Sequence, residues 1–417
     1  MLREEKIKFV RKQGAFIGID VAKKKHFAQF IDKEGSNLAK GLSFSNNREG
    51  FRQLERRFSA FPNLDHNILF GFEPSGDYWK PLAYYLKEKG YPVVLVNPYH
   101  VKRTKEVIDN SQNKTDPKDA YLIADLCKQG KYFSPILPSG VYAELREANL
   151  LWRKLSKDMV RTKTYINGVL DKFFPERKDC FYQLLGKSSF ALLKIAPFPE
   201  DIVKLGKERL TRKLKKVSRG KLSLAKATLL YEKAKTSIGI KEGKNTARIT
   251  LRMLLSEIET LKTKLKEVRE LMKKLLDKTS YAEYLLSIPA VGVITASGFL
   301  GEIGNPDNYS FASQIEKVAG LNLVEISSGE KKGKRKISGR GKSGLRYIAY
   351  LIANIAIAKN REIRALYRYK VDIKNVEKMK ALTAIAAKMI RLMFTLCKKR
   401  EYYNSEEIKR YWFVKAG

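Results

Sequence analysis

Cysteine and histidine are both scarce in this chain of 417 residues. It contains three of each, and the cysteines, Cys127, Cys180 and Cys397, lie far apart. This scarcity excludes a disulfide framework, a CxxC redox centre and a zinc finger, because each of these needs several such residues at short spacings. A reducing, cytoplasmic setting is the expectation that fits.

Long apolar runs are also missing. No run of 18 apolar residues occurs, and the best candidate, residues 347–358, is too short to span a bilayer and contains Asn354. Residues 1–14 contain no apolar signal core. We therefore expect no membrane partner and no export.

Acidic residues are few compared with basic ones. The chain has 83 Lys and Arg against 44 Asp and Glu, a net charge of +39, and a chain this basic is expected to bind nucleic acid. Its 44% of apolar residues excludes a disordered tail, and its length suits two or three domains. Residues 1–140 hold 24 basic and 16 acidic residues, whereas residues 201–417 hold 48 and 21. This bias indicates that the N-terminal part carries the chemistry and that the C-terminal part contacts a polyanion. A uniformly solvated basic surface is the alternative.

The first 130 residues are predicted to alternate strands and helices. Apolar runs and period-two patterns predict the strands, and the spacing of Phe51, Leu54 and Phe58 after two asparagines predicts a helix. The predicted strands are 15–20, 26–32, 41–45, 67–73 and 91–97, and the predicted helices are 48–61, 76–90 and 116–129. The order βββαβαβα is that of the RNase H-like fold.

From residue 141 onward the patterns are helical. One long helix is predicted over 141–174, and the basic stretch 176–240 reads as shorter helical pieces. A heptad seam then occupies 251–275, which predicts either self-association or an antiparallel helical arm. An amphipathic helix packing on the chain's own core gives the same pattern and is the alternative. The seam consists of Leu251, Leu254, Ile258, Leu261, Leu265, Val268, Met272 and Leu275.

The last part of the chain combines small residues with a basic loop. Residues 285–304 resemble a helix-hairpin-helix that offers backbone N–H groups to phosphates, and a plain helical hairpin is the alternative. Residues 327–344 form a Gly-rich basic loop, and apolar helices follow from 345. The loop contains no complete phosphate-loop motif, so it is expected to contact nucleic acid flexibly. The basic residues proposed for this contact are Lys331, Lys332, Lys334, Arg335, Lys336, Arg340, Lys342 and Arg346.

Four carboxylates in the front part occupy notable positions. Asp20 ends the first predicted strand, Glu73 ends the fourth, and Asp116 and Asp119 open the last predicted helix. Adjacent strands would bring the first two together, and a spacing of three places the other two on one helical face. Clustered carboxylates repel one another, and hard divalent cations such as Mg²⁺ or Mn²⁺ relieve that repulsion. Two such ions could hold a phosphate during an in-line displacement.

Each of these carboxylates also has a structural alternative. Asp116, Pro117 and Asp119 make a plausible helix start, with an acid at the cap and a proline in the first turn. Asp20 and Glu73 could be turn residues at strand ends. Together, their order along the fold favours a metal site.

A serine precedes the basic loop. Ser328 lies in an SSG sequence. Its hydroxyl would lie beside a nucleic-acid backbone bound by the basic loop and could attack a phosphodiester. A loop serine is otherwise an ordinary polar residue, and the adjacent Ser327 is an alternative position for the same role.

Several motifs resemble the DEDD transposases of the IS110 family of insertion sequences. They are FIGIDVAK, FEPSGDYWKPLAYYLKEKGYPVVLVNP and NKTDPKDAYLIADL near the front, and LLSIPAVGVITASGFLGEIG, VAGLNLVEISSG and KSGLRYIAYLIA behind. The resemblance spans about residues 1–175 and 280–395. It departs from the family's shorter members in the basic insertion 176–240, for which RNA or DNA contact fits the charge.

The resemblance implies a bacterial or archaeal cytosolic DNA recombinase. In the family, a RuvC-like domain supplies four acids for Mg²⁺, matched here by Asp20, Glu73, Asp116 and Asp119, and a transposase domain supplies a nucleophilic serine, matched by Ser328. Family members pair donor and target DNA with a structured bridge RNA and act as a tetramer of two dimers. A metal-dependent, structure-selective DNA nuclease that uses water as nucleophile is the rival function.

The expected fold class is α/β plus all-α. We predict a RuvC-like domain of the RNase H fold at 1–138 and a helical region with the basic insertion and coiled coil at 139–280. A mainly helical transposase domain that carries the catalytic serine is predicted at 281–417.

Overall fold

A computed structural model describes residues 3–61, 67–74, 76–109, 116–220, 224–325 and 336–406. The chain forms two compact units, residues 1–137 and residues 138–417. The first is a mixed α/β unit and the second is mostly helical, so the predicted combination of fold classes is confirmed. The finer division at residue 280 stays a prediction.

The first unit is built on a six-stranded sheet. Its strand order is β3-β2-β1-β4-β5-β6, with β1 antiparallel to β2 and parallel to β4. Two differences from the predicted strands are a longer β3 and the additional β6. The strands are β1 (Ala15–Asp20), β2 (Lys25–Ile31), β3 (Asn37–Ser45), β4 (Ile68–Phe72), β5 (Val93–Val96) and β6 (Tyr132–Phe133).

Among the described residues of this unit, five helices accompany the sheet. Asn47 caps the helix that was predicted after it, because its side chain accepts a hydrogen bond from Gly50 N. The predicted helix 76–90 begins later, at Lys80, with a proline in its first turn. Two of the helices, the first and the fourth, were not predicted. The helices are α1 (Arg3–Arg11), α2 (Arg48–Ser59), α3 (Lys80–Glu88), α4 (Pro98–Asp109) and α5 (Asp116–Lys128).

Two paired glycines bring α5 close to the sheet. Gly18 of β1 and Gly71 of β4 are register partners. A Cβ at Gly18 would lie 2.0 Å from the carbonyl oxygen of Ala120, and one at Gly71 would lie 2.3 Å from Cys127 Sγ. These two positions of the sheet therefore accommodate only glycine, and the backbone of α5 packs directly on β1 and β4.

The second unit is organised around two antiparallel helices of 33 residues each, α6 (Val141–Phe173) and α12 (Lys244–Leu276). Ile240 N, just before α12, donates to Lys172 O at the end of α6 (3.0 Å). The heptad residues of α12 are buried or half-buried in the same apolar core as α6. The heptad seam therefore packs against other helices of the same chain, which agrees with an antiparallel helical arm and with an amphipathic helix on the chain's own core. A role of the seam in self-association stays a prediction.

The basic insertion between these two helices is a small helical bundle. Cys180 and Leu230 belong to an apolar core within the bundle, whereas Phe190, Leu193 and Phe198 join the core of α6 and α12. The predicted shorter helical pieces are confirmed as α7 (Arg177–Cys180), α8 (Lys187–Ile195), α9 (Pro199–Leu205), α10 (Lys207–Ser218) and α11 (Leu224–Lys235).

The remainder of the second unit is also helical, apart from a two-stranded ribbon. The segment 285–304, predicted as a helix-hairpin-helix or a plain helical hairpin, contains two helices joined by a turn in which Ala290 has a φ of 96°, and phosphate contact by this segment stays a prediction. The apolar helices predicted after residue 345 are present and join the core of α6 and α12. None of the helices among the described residues is long and apolar enough to cross a membrane. The elements are α13 (Ala282–Leu286), α14 (Val293–Ile303), α15 (Ala312–Ala319), β7 (Leu323–Val324), β8 (Lys336–Ile337), α16 (Ser343–Lys359), α17 (Arg361–Arg368) and α18 (Lys378–Lys399).

Candidate acidic site and basic loop

Asp20 and Glu73 lie side by side at one edge of the sheet. The register of the parallel pair β1 and β4 matches Ile19 with Phe72, so the next residues, Asp20 and Glu73, are also neighbours. Neighbouring strands lie about 4.8 Å apart. The backbone positions of the two residues are therefore adjacent at this edge, as the ends of adjacent strands predict, and their role as a site stays a prediction.

The start of α5 points toward the same edge. Its last residue, Lys128, donates through Nζ to Glu34 O (3.1 Å) in the turn between β2 and β3, which lies at the opposite end of β1 from Asp20. Ala120 and Ala124 lie over Gly18. The helix therefore runs antiparallel to β1, and Asp116 and Asp119 lie on the side of Asp20.

Asp119 is the buried member of the four carboxylates. It is 4% exposed, whereas Asp116 is exposed at the helix start. Its Oδ1 atom forms an ion pair with the Nζ atom of Lys105 in α4. The sequence patterns did not single out Lys105, because α4 itself was not predicted.

The donor set fits a hard divalent cation. Carboxylate oxygens are the ligands that Mg²⁺ and Mn²⁺ prefer, and the buried Oδ1 of Asp119 pairs with the ammonium group of Lys105. As they stand, no three carboxylate, imidazole or thiol groups among the described residues are close enough to hold one ion. A metal site formed by these carboxylates therefore stays a prediction.

Lys105→Met is expected to make the first unit dependent on divalent metal for stability. Without the ammonium group, the buried Asp119 carboxylate loses its compensating charge, at a cost of about 2 kcal/mol. Thermal unfolding in EDTA should occur several degrees lower than in the wild type, and added Mg²⁺ should restore much of the difference. The exposed Lys102→Met on the same helix is the control. A loss that Mg²⁺ leaves unchanged would contradict a metal role for Asp119.

The predicted nucleophile and half of the basic loop lie outside the described residues. These are Ser328 with its neighbour Ser327, and Lys331, Lys332, Lys334 and Arg335. The described ends of the loop are adjacent, because Val324 of β7 pairs with Lys336 of β8 in an antiparallel ribbon. The two described flanks of the loop therefore lie side by side.

The base of the ribbon is fixed on the end of α15. Lys342 N donates to Val318 O (2.7 Å) and Gly339 N donates to Gly320 O (3.0 Å). A Cβ at Gly341 would lie 2.5 Å from Val318 O, so this approach requires glycine. The loop that carries Ser328 therefore starts from a rigid support.

The described basic residues of the loop fall into two pairs. Lys336 and Arg340 are exposed. Lys342 Nζ donates to Glu302 O (2.8 Å), and Arg346 Nη1 donates to Ala319 O (2.8 Å). The second pair thus contributes to the support of the loop, and nucleic-acid contact by all of these residues stays a prediction.

A buried acid under this support was missed by the sequence patterns. Glu302 is 5% exposed; its Oε1 lies 3.4 Å from Asn149 Nδ2 and 3.6 Å from Arg153 Nη1. A Cβ at Gly344 would lie 1.8 Å from the same oxygen, so the carboxylate packs on the first turn of α16. An acid next to a helix N-terminus is electrostatically favourable. The only signal in the sequence is a single acid in the otherwise small and apolar segment of α14.

Glu302→Gln is expected to lower the free energy of unfolding of the second unit by about 1–2 kcal/mol, because the neutral amide no longer compensates Arg153 or the start of α16. Chemical denaturation measures the change. Glu267→Gln, on the exposed face of α12, is the control and should change stability by less than about 0.5 kcal/mol. Equal effects of the two substitutions would show that the buried contacts of Glu302 contribute little.

Comparisons with known proteins cover both units. Residues 17–175 match a transposase family described as DEDD IS110, and residues 282–368 match the IS116/IS110/IS902 transposase family. An insertion element IS116 protein of Streptomyces clavuligerus is 23% identical over 93% of this chain and 96% of its own length. The insertion element IS900 protein of Mycobacterium paratuberculosis is 25% identical over 70% of this chain and 73% of its own. A pilin gene-inverting protein of Moraxella bovis is 31% identical over 26% of this chain and 33% of its own.

The two family matches occur in the order expected for one enzyme and together cover more than half of the chain. The first contains all four carboxylates, and the second contains the ribbon and its loop. A DEDD transposase requires DNA as substrate and a divalent metal as cofactor. The chain therefore belongs to the IS110/IS116 family of insertion-sequence transposases and is a DNA transposase.

Proposed function

We propose that this transposase cuts and rejoins DNA through a phosphoserine intermediate, with Ser328 as nucleophile and Asp20, Glu73, Asp116 and Asp119 as ligands of Mg²⁺. The observation that carries the proposal is the placement of Asp20 beside Glu73, with the start of α5 directed toward them. The bound cation would neutralise charge on the phosphate and stabilise the transition state. Mn²⁺ could replace it, since both ions accept oxygen ligands.

The sheet supports assigning the first unit to the RNase H-like, RuvC-like fold. Its first five strands have the order 3-2-1-4-5, and β2 is antiparallel to its neighbours. In this assignment, residues 1–138 carry the metal site and residues 281–417 carry the serine. The helical region 139–280 links them.

The proposed reaction conserves phosphoester bonds. The Ser328 Oγ forms a bond to a DNA phosphorus as a phosphorus–oxygen bond of that strand breaks, which leaves a DNA hydroxyl. The proton of the serine passes to solvent or to a nearby base. A hydroxyl of the partner strand then attacks the phosphoserine, and the serine is released. No external energy source is needed, because one phosphoester replaces another at each step.

The partners proposed are donor and target DNA, a bridge RNA that selects both by base pairing, and further copies of this chain. The net charge of +39 is large enough to neutralise two nucleic acids. A dimer, and a tetramer in the active complex, would allow the acids of one subunit to serve the serine of another. The α12 seam is covered by α6 in this chain, so a different surface would mediate much of the assembly.

Covalent trapping tests the proposed serine chemistry. The full-length protein, co-purified with its RNA, is incubated with end-labelled donor DNA and Mg²⁺ and then denatured with detergent. We expect a protein–DNA adduct that disappears in Ser328→Ala and persists in the matched Ser327→Ala. An adduct lost only in Ser327→Ala would move the nucleophile by one residue. DNA cleavage without any adduct would instead support a nuclease that uses water.

A further inference from the structure

The basic insertion 176–240 lies between the two family matches and belongs to neither. It nevertheless folds as a bundle with its own apolar core. It holds 16 basic and 6 acidic residues. Its role must therefore be inferred from its own surface.

One helix of the bundle, α10, separates its apolar and basic residues onto opposite faces. Leu210 and Leu214 are buried in the bundle core. Four basic side chains follow helical spacings of three and four on the other face, and all four are exposed. This α10 basic face consists of Arg209, Arg212, Lys213 and Lys216.

Most acids of the bundle are engaged away from this face, and Glu208, in the first turn of α10, is the one acid on the helix itself. Glu232 pairs with Lys207 (2.7 Å), and Asp201 pairs with Arg248 of α12 (2.8 Å). Glu176 is used to accept hydrogen bonds from Ser237 and Ile238. Within the described part of the chain, no ion pair or hydrogen bond engages the side chains of the α10 basic face. Its positive charge is therefore directed to solvent.

The basic surface continues beyond the end of the helix. Arg219, which ends α10 in a left-handed conformation with a φ of 54°, is exposed. It shares an open cleft with the exposed Lys187 at the start of α8. With a rise of about 1.5 Å per residue, the stretch from Arg209 to Arg219 extends about 15 Å.

We propose that the α10 basic face binds the phosphate backbone of duplex DNA. The face places about one or two cations per helical turn along a line, which suits a regular row of phosphates. The face itself contains no aromatic side chain, whereas surfaces for unpaired strands use aromatics to stack bases. The exposed Tyr182 lines the adjoining cleft and lies outside the row of cations on α10. DNA is also the substrate that the enzyme class requires. The insertion thus adds sequence-independent phosphate contacts to the DNA contacts made by the rest of the chain.

The test measures duplex binding as a function of salt. The full-length variant Arg209→Gln/Arg212→Gln/Lys213→Gln/Lys216→Gln is titrated with a labelled DNA duplex of unrelated sequence, and anisotropy gives the affinity. The salt dependence of log K should become shallower by about 3–4, and affinity at physiological salt should fall about 10- to 100-fold. Glutamine preserves helix propensity, and thermal unfolding verifies the fold.

A matched variant removes the same charge from α12. Arg252→Gln/Lys264→Gln/Lys266→Gln/Lys273→Gln changes four exposed residues on a helix that also presents exposed acids. It should leave the salt dependence within about 1 of the wild type. An equal loss in this control would overturn the proposal, because a general charge effect would then explain both. Unchanged DNA binding with weakened binding of a folded RNA would also overturn it.

DNA binding does not require catalysis, so both variants can carry Ser328→Ala. Failure of the proposed serine mechanism would therefore leave the result of this binding experiment intact.

Discussion

Asp20→Asn is expected to reduce DNA cleavage about 10³-fold, equivalent to roughly 4 kcal/mol of transition-state stabilisation, with little change in DNA binding. Asparagine keeps the size of the side chain at the end of β1 but removes the charge beside Glu73. A divalent cation at this edge would lose a charged ligand. Single-turnover cleavage rates across a Mg²⁺ titration, together with anisotropy for binding, measure the two effects separately.

Asp77→Asn is the control for this substitution. Asp77 lies four residues after Glu73, is exposed and pairs with Lys80 on the surface. Its replacement should leave cleavage within about two-fold, since exposed ion pairs contribute little. If Asp20→Asn cleaves DNA at the rate of this control, the sheet edge is not the metal site. If it instead loses DNA binding, the carboxylate has a structural role.

Gly18→Ala is expected to lower the free energy of unfolding of the first unit by about 3 kcal/mol and cleavage by about 10²-fold even where the protein remains folded. The added Cβ would lie 2.0 Å from Ala120 O and 2.4 Å from Ala124 N. Both are backbone atoms, so rotation of a side chain cannot relieve the overlap. The helix must move away from β1, and it carries Asp116 and Asp119 with it.

The matched control is Gly168→Ala in the interior of α6, before its last turn. A Cβ at this position meets no atom within 4 Å, so alanine should stabilise the helix by up to about 1 kcal/mol. Thermal unfolding and cleavage well below the melting temperature distinguish loss of fold from displacement of α5. A Gly18→Ala protein with wild-type stability and cleavage would show that this contact does not set the position of α5.

The elements with strong apolar periodicity were predictable from the sequence. The bounds of β1 and the start of α5 agree with the patterns, as does α6 to within one residue. The exposed elements were harder. In α4, Pro98 at the first position is a helix-start signal, but its polar sequence gives no clear apolar stripe, so the helix and its Lys105 were missed.

The site could be predicted only as far as strand order allowed. The positions of Asp20 and Glu73 follow from where their strands end, but the ion pair of Asp119 with Lys105 depends on how two helices pack. The same limit applies to Glu302, whose neighbours Asn149 and Arg153 are about 150 residues away in sequence. The heptad pattern of α12 likewise fixes which face is apolar but leaves open which helix covers it.

The insertion begins and ends at one point on the long helical arm. Ile240 N bonds to Lys172 O, and a Cβ at Gly239 would lie 2.2 Å from Phe173 O, so the flanks of the bundle are in contact. A segment whose two ends touch can be gained or lost in evolution without lengthening the path between α6 and α12. The bundle is therefore connected like an insertion that a short connection or another bundle could replace, provided that the core positions of Phe190, Leu193 and Phe198 are filled in another way.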